Sequence, residues 1–381
     1  MRIAPFAVEQ WMNDHETAAR WNTAETCVDS LRVDELLSLG GDVDELVRRL
    51  LATRLTYGHI VGSPELRAAV ASLYGDGVSG DRVVITNGAI AANFLTLFTL
   101  VEPGDTVICV QPTYQQLYSV PAALGARVVP LPLRAANGYL PDVEELRALV
   151  DDRTRLIIVN NPNNPSGALI DAPLLGDIVA VARECGAWLL GDEVYRHLEH
   201  QAGTTPPSVV DIYERGVSTG SMSKTFSLAG LRTGWVVGPD DFVARCLEVR
   251  DYTTISVGMI DDLLATVALE HRGAILARSL NLVRGNFALV DAWIEGEPRL
   301  HYVRPRAGTT ALIHYDFEVP STTLCQEMFE HNGAFVMPGS AFGEEHCFRL
   351  GYACARDVLV GGLAAISGYL RTIEPPAADT P

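Results

Sequence analysis

The feature that most constrains this chain is a series of seven short apolar segments between about residues 80 and 240, separated by stretches of helical period. The segments are RVVIT (82–86), TVICV (106–110), ARVVPL (126–131), RLIIVN (155–160), AWLLGD (187–192), GVSTG (216–220) and TGWVVG (233–238). Each is brief and lacks the polar alternation of a strand with one wet face, as expected where both faces of a sheet are covered. Between several of them lie segments with helical spacing, such as PDVEELRALVDD and APLLGDIVAVARECG. Alternating strand and helix predicts an α/β fold with a mainly parallel central sheet and helices on both faces.

The pattern changes further on. Residues 239–293 read as consecutive helices. HYVRP, TTALIHY and CFRLGYA then read as strands, with STTLCQEMFEHNG and DVLVGGLAAISGYL as helices, which predicts a smaller α+β unit. We expect a large α/β domain over residues 51–293 and a small C-terminal domain over 294–381. The N-terminal segment 1–50 is expected to pack with the small domain and over the site. The Pro- and Ala-rich tail TIEPPAADTP is expected to fray.

Charge narrows the partners. The 29 Lys and Arg against 47 Asp and Glu leave a net charge of −18 with no basic stripe, which argues against nucleic acid. The seven cysteines show no CxxC and no zinc-like spacing. Most lie in apolar runs and read as reduced, buried thiols of a cytoplasmic protein. No apolar run reaches membrane-spanning length and no leader is legible, so a soluble protein is expected. His197 and His200 lack further ligands at a convincing spacing; they read as surface histidines, and no metal is expected.

Ligands of open α/β sheets bind beyond the carboxyl ends of strands, and several polar residues fall there. Asp192 closes AWLLGD, NNPNNPSG follows RLIIVN, NGA follows RVVIT, and Ser221 to Lys224 follow GVSTG. Lys224 sits among small hydroxyls, glycines and apolar residues, with no charged neighbour until Arg232. A buried lysine of depressed basicity condenses with aldehydes. A strand-end aspartate keeps a pyridinium nitrogen protonated. Serines, an arginine and helix N-terminal amides hold a phosphate. Aldehyde, ring nitrogen and phosphate together describe pyridoxal 5′-phosphate. Taken singly, Lys224 also reads as a surface lysine, Asp192 as a helix cap, Arg349 as half of a structural salt bridge and Asn164 as a turn residue.

The motifs YGHIVGSPELRAAVA, NGAIAAN, PTYQQL, NNPNNPSG, GDEVY, SMSK…GLRTGW and FRLGYA occur in one order over roughly residues 50–365. In this the chain resembles the fold-type-I pyridoxal-phosphate enzymes of the class I/II aminotransferase family. The resemblance implies that Lys224 bonds the cofactor aldehyde and that Asp192 faces its ring nitrogen. It gives Asn164 and Tyr195 the phenolic oxygen, and Tyr114 the ring face, beside the reacting atoms. Ser221 and Arg232, with the amides of Gly88, Ala89 and Ile90, are implied for the phosphate. Tyr57 resembles a tyrosine that reaches the cofactor of a neighbouring subunit, implying a homodimer with shared sites. Arg349, with Asn164, is implied for the substrate α-carboxylate. The phosphate loop departs from the family in reading Gly-Ala-Ile, without the usual hydroxyl.

The resemblance implies an enzyme acting on a free L-amino acid, with transamination as the first expectation. The segments LPLRAANGYLPDVEELRALVDDRTRLIIVNNPNNPSGA, VRDYTTIS and VMPGSAFG resemble capreomycidine synthase-like cyclases, which act on a hydroxylated arginine; cyclisation, elimination or replacement is the alternative. Glu9, Glu25 and Asp29 are candidates to pair with a cationic substrate end, and each taken singly also reads as part of a solvated acidic surface. A non-catalytic cofactor binder is a third reading. The regulators that use the fold in this way carry a basic domain before it, and the residues ahead of Tyr57 are not basic.

Overall fold

The computed structural model describes residues 2–39 and 41–373. Most of the tail expected to fray, residues 374–381, lies outside the described residues. All seven apolar segments form strands of one sheet. Its order is Val83–Thr86, Gly234–Val237, Gly216–Ser221, Trp188–Asp192, Thr154–Asn160, Thr106–Gln111, Arg127–Pro132. Gly234–Val237 runs antiparallel to both neighbours and the other pairings are parallel.

Period-two geometry explains why these segments show no polar alternation. Ile108, Val110, Ile157, Val159 and Leu189 enter the core on one face. Val107, Cys109, Leu156, Ile158 and Leu190 enter a separate core on the other. Each such side chain removed from water contributes about 1.5–3 kcal/mol before entropy is counted. Helices that cover the sheet begin and end where the sequence provides caps. Asp171 accepts from the Leu174 amide at the start of Ala172–Cys185, and Gly186, at φ 71°, ends it.

A second sheet is antiparallel, in the order Met337–Pro338, Cys347–Gly351, Thr310–Tyr315, Leu300–Tyr302. Its core includes Ile313, Phe348 and Leu350, together with Phe287 and Val290 of the long helix Arg272–Gly296. The N-terminal segment is bound to this part of the molecule. Trp21–Asn22 pairs in parallel with Ala334–Phe335, the Gly351 amide donates to Thr23 O at 2.7 Å, and Asp29 N donates to Ala353 O at 2.8 Å. The helix Ala7–His15 is pinned on two sides. Trp11 Nε1 donates to Val336 O at 2.9 Å, and Gln115, beside the first sheet, bonds Pro5 O and the Ala7 amide at 2.8 and 2.9 Å. None of the described helices is long and apolar enough to cross a membrane.

His197 and His200 depart from their expected place on the surface. Both are half-buried, and burial pushes their pKa values down to about 4. His200 packs on Phe287 at 4.4 Å, in the core shared by Tyr195 and the second sheet. Among the described residues, no group of three His, Cys, Asp or Glu side chains is placed to hold a metal.

Candidate active site

The carboxyl ends of the first sheet open into a cleft of about 370 Å³. Glu9, Glu25, Ala89, Ile90, Tyr114, Asn164, Asp192, Tyr195, Ser221, Lys224, Arg232 and Arg349 all line it. Three expected residues do not. Gly88 lies just behind the lining, against Arg232. Tyr57 is 67% exposed on the molecular surface. Asp29 is drawn off by Arg278, whose Nη1 donates to Asp29 O at 2.8 Å and whose Nη2 lies 3.3 Å from its carboxylate.

Asp192 ends the strand Trp188–Asp192 and is buried. Burial pushes its pKa up to about 6, against opposing donors at Asn93 and the Val194 amide and the nearby Lys224 charge. Asn93 Nδ2 donates to Asp192 Oδ2 at 2.9 Å, and Asn93 is itself oriented by Thr219 Oγ1, which donates to its Oδ1 at 2.6 Å. Asn160 Nδ2 donates to the Asp192 carbonyl at 3.1 Å, and its Oδ1 accepts from the Asn164 amide at 2.7 Å. Asp192 caps no helix, since the residues after it form a turn. Asn93 and Asn160 escaped the sequence reading. The available signal for Asn93 was an asparagine inside an otherwise apolar helical run, which must be satisfied by some buried partner, and for Asn160 its place at the end of the strand Thr154–Asn160.

Lys224 Nζ donates to Thr26 Oγ1 at 2.6 Å and to Cys27 Sγ at 3.3 Å, with Glu25 Oε1 at 3.9 Å. The expected depression of its basicity is not found. Burial pushes it down, while Cys27, Tyr195 and Glu25 push it up and prevail, Glu25 being the one of the three that carries its charge near neutral pH. Glu25 moves the other way. Burial opposes its charge, yet Lys224 and the amides of Thr26 and Cys27 hold its pKa down to about 2.

The opposite wall of the cleft is built for an anion. Helix Gly88–Leu100 starts there, and its N-cap Asn87 makes no side-chain capping bond, which leaves first-turn amides facing out. Arg232, at φ 47°, reaches behind Gly88, and a Cβ at Gly88 would lie 2.6 Å from its Nη2. A Cβ at Gly234 would lie 2.4 Å from the Gly88 carbonyl carbon, so this wall closes only around two glycines. Ser221 and Ser223 complete it, with Arg232 Nη1 at 3.5 Å from Ser223 Oγ.

Arg349 is buried at the far side. Its Nη1 donates to Asn164 Oδ1 at 3.0 Å and its Nη2 to Ala24 O at 2.8 Å, while Nε has no partner among the described residues. Burial lowers its pKa, but a guanidinium keeps its charge, and a buried one fits a carboxylate. Tyr114 OH donates to Glu9 Oε1 at 3.0 Å. Glu16, missed in the sequence, joins Glu9 and Glu25 in the lining. Its pKa is raised by burial first and then by those two carboxylates, which sets three acidic groups at one end of the cleft.

A lysine amine, a buried carboxylate and an anion cradle on one cleft fit a group with an aldehyde, a ring nitrogen and a phosphate. Comparison with known proteins agrees. Residues 43–365 match the family described as aminotransferase class I and II. The chain is 34% identical to capreomycidine synthase of Streptomyces vinaceus, over 96% of this chain and 93% of the relative. It is 31% identical to an arginine–pyruvate transaminase of Pseudomonas aeruginosa, over 90% and 89%. A solved pyridoxal-phosphate-dependent aminotransferase from Streptococcus suis superimposes with a TM-score of 0.95 at 39% identity, covering 98% of this chain and all of the other.

Proposed function

Because the chain belongs to the class I and II aminotransferases and is a pyridoxal-phosphate-dependent enzyme, we propose that it transfers the amino group of a free L-amino acid with a cationic side chain to a 2-oxo acid. The observation that carries the substrate class is the trio Glu9, Glu16 and Glu25 on the same cleft as Arg349 and Lys224. Arg349 with Asn164 takes the α-carboxylate, and Glu9 and Glu16 take the side-chain cation with Glu25 beside Lys224 adding to the negative field, so the substrate is held at both ends. Two relatives named for capreomycidine and for arginine are in keeping with a guanidinium.

The cofactor, when bound, supplies an electron sink for the charge left at the α-carbon. Lys224 is the residue that bonds it and that moves the α-proton. Asp192, steadied by Asn93, keeps a proton on the ring nitrogen. Ser221, Ser223, Arg232 and the amides at Ala89 and Ile90 take the phosphate, while Asn164 and Tyr195 hold the phenolic oxygen. Tyr114 covers the ring, its hydroxyl anchored to Glu9. The helix Ala7–His15 brings Val8 and Met12 to the cleft, where they keep water from the reacting atoms.

A homodimer is part of the same reading. Ile90, Phe94 and Phe98 form an exposed stripe at helical spacing, and Leu51, Leu55, Tyr57, Ile60 and Tyr252 add exposed apolar surface. Surface of this kind is characteristic of association. With Tyr57 outside its own cleft, its implied role is at the partner's cofactor.

A second reading, ring closure on a hydroxylated arginine-like substrate, is favoured by the 34% identity to capreomycidine synthase over nearly the whole chain. Mass spectrometry of products from arginine and hydroxyarginine, with and without pyruvate, decides between them. A 2-oxo acid product that requires the acceptor supports transfer. A product that has lost water, kept its α-amino group and needed no acceptor replaces transfer with ring closure. No product under any condition contradicts both.

A further inference from the structure

Thr26 and Cys27 have no part in the roles above, yet both side chains bond the Lys224 amine. The contacts at 2.6 and 3.3 Å, with the Glu25 carboxylate at 3.9 Å, come from three consecutive residues of one loop. The loop is fixed from every side. Glu25 Oε1 accepts from its own neighbours, the Thr26 and Cys27 amides, at 2.7 and 2.9 Å. Thr26 O accepts from Thr309 Oγ1 at 2.7 Å, and Ala24 O accepts from Arg349 Nη2 at 2.8 Å.

We propose that Glu25, Thr26 and Cys27 form a berth that receives the Lys224 amine while the lysine is not bonded to the cofactor, and that Ala24 ties this berth to Arg349. The proposal rests on the assignment of Lys224 as the cofactor lysine. A resting ammonium has three donors, for which the berth offers a hydroxyl, a thiol sulfur and a carboxylate, and the neutral amine that takes the α-proton still finds the hydroxyl and the sulfur there. Other groups also face it: Asp192, Tyr195 and Tyr114 from the first sheet, Arg232 from the phosphate wall and Arg349 from the second sheet. Burial keeps Cys27, Tyr195 and Tyr114 protonated near neutral pH, leaving Glu25 as the anion that pairs with the amine.

The berth has a kinetic purpose. A substrate amine must displace Lys224, and a displaced amine on a short tether competes for the same carbon at high effective concentration. Hydrogen bonds and a paired charge that hold it 2.6–3.9 Å from fixed partners lower that competition. Because Arg349 holds the same loop through Ala24, binding of a substrate carboxylate and capture of the released lysine act on one rigid segment.

Two ligands separate this role from a structural one. α-Methylarginine bears an amine that displaces the lysine but has no α-proton to lose, and 5-guanidinopentanoate lacks the amine altogether. Absorbance titration of the holoenzyme reads the first, and its competition reads the second. Thr26→Val and Cys27→Ala leave the carboxylate trio intact. The berth predicts that Thr26→Val weakens α-methylarginine about tenfold, one hydrogen bond's worth, with Cys27→Ala acting in the same direction. Affinity for 5-guanidinopentanoate is unchanged in both, and Thr26→Ser restores the wild-type value. Equal weakening of both ligands, or no change in either, overturns the berth. If the wild-type protein gives no cofactor absorbance on Lys224, the assignment of the lysine itself has failed, a result distinct from either.

Discussion

Arg349 Nη1 and Asn164 Oδ1 lie 3.0 Å apart, joining the second sheet to the turn after a strand of the first, while the Arg349 Nε beside that bond has no partner among the described residues. A buried guanidinium held by two carbonyl-type acceptors and still short of one is poised for a carboxylate.

Arg349→Lys is therefore expected to raise KM for arginine about 100-fold, since a lysine cannot reproduce the fork and a charged hydrogen-bond pair is worth about 3 kcal/mol. Agmatine, which lacks the carboxylate, serves as the control. Its binding, measured by competition, is expected to stay unchanged.

Asp192 provides a test through pH. Its folded pKa of about 6 exceeds the ordinary 3.8, so the cofactor-free protein is stabilised by the neutral form below pH 4 and loses that stability as pH rises through 6. Asp192→Asn removes the penalty and should stabilise the cofactor-free protein at pH 7.5 by about 1–3 kcal/mol, with no gain at pH 4. Denaturant unfolding at the two pH values measures this. The same variant should lose nearly all turnover, since an asparagine cannot hold a proton on a ring nitrogen.

Gly88→Ala should weaken cofactor binding more than tenfold, because the new Cβ would stand 2.6 Å from Arg232 Nη2 at a backbone φ of +79°. Gly138→Ala carries a similar backbone cost at φ +64° with nothing within 4 Å of the added carbon, so its cofactor affinity should match wild type. Absorbance titration with pyridoxal 5′-phosphate reads both.

Phe94→Asp with Phe98→Asp places two charges on the exposed stripe, where the rings now stack 6.0 Å apart. Sedimentation is expected to show a dimer for wild type and half that mass for the variant, with weakened cofactor binding as Tyr57 is withdrawn. A wild-type monomer with full activity would contradict shared sites.

The first sheet was legible because burial on both faces leaves unbroken apolar strings, such as TVICV, whose alternate residues serve two cores. Asp192, Asn164 and Lys224 were legible because strand ends and Asn-Pro turns mark themselves. The loop from Thr23 to Arg32 was not, since it follows no period and takes its course from distant partners such as Thr309 and Ala353. Hence Thr26 and Cys27 went unseen, and Asp29 was placed with Glu25 although Arg278 claims it. The basicity of Lys224 was misjudged for the same reason. Burial alone lowers it, and Cys27 and Glu25 of that loop, with Tyr195 from the turn after Asp192, reverse the sign.

The most direct test of the acidic trio compares arginine with citrulline, which keeps the shape of the side chain and loses its charge. Wild-type kcat/KM should favour arginine by at least about 100-fold, the scale of a buried charge pair. In Glu9→Gln with Glu16→Gln the preference should fall to within about tenfold. A wild-type enzyme that uses the two equally well, or a double variant that keeps the full preference, would contradict the assignment of the substrate cation to these carboxylates.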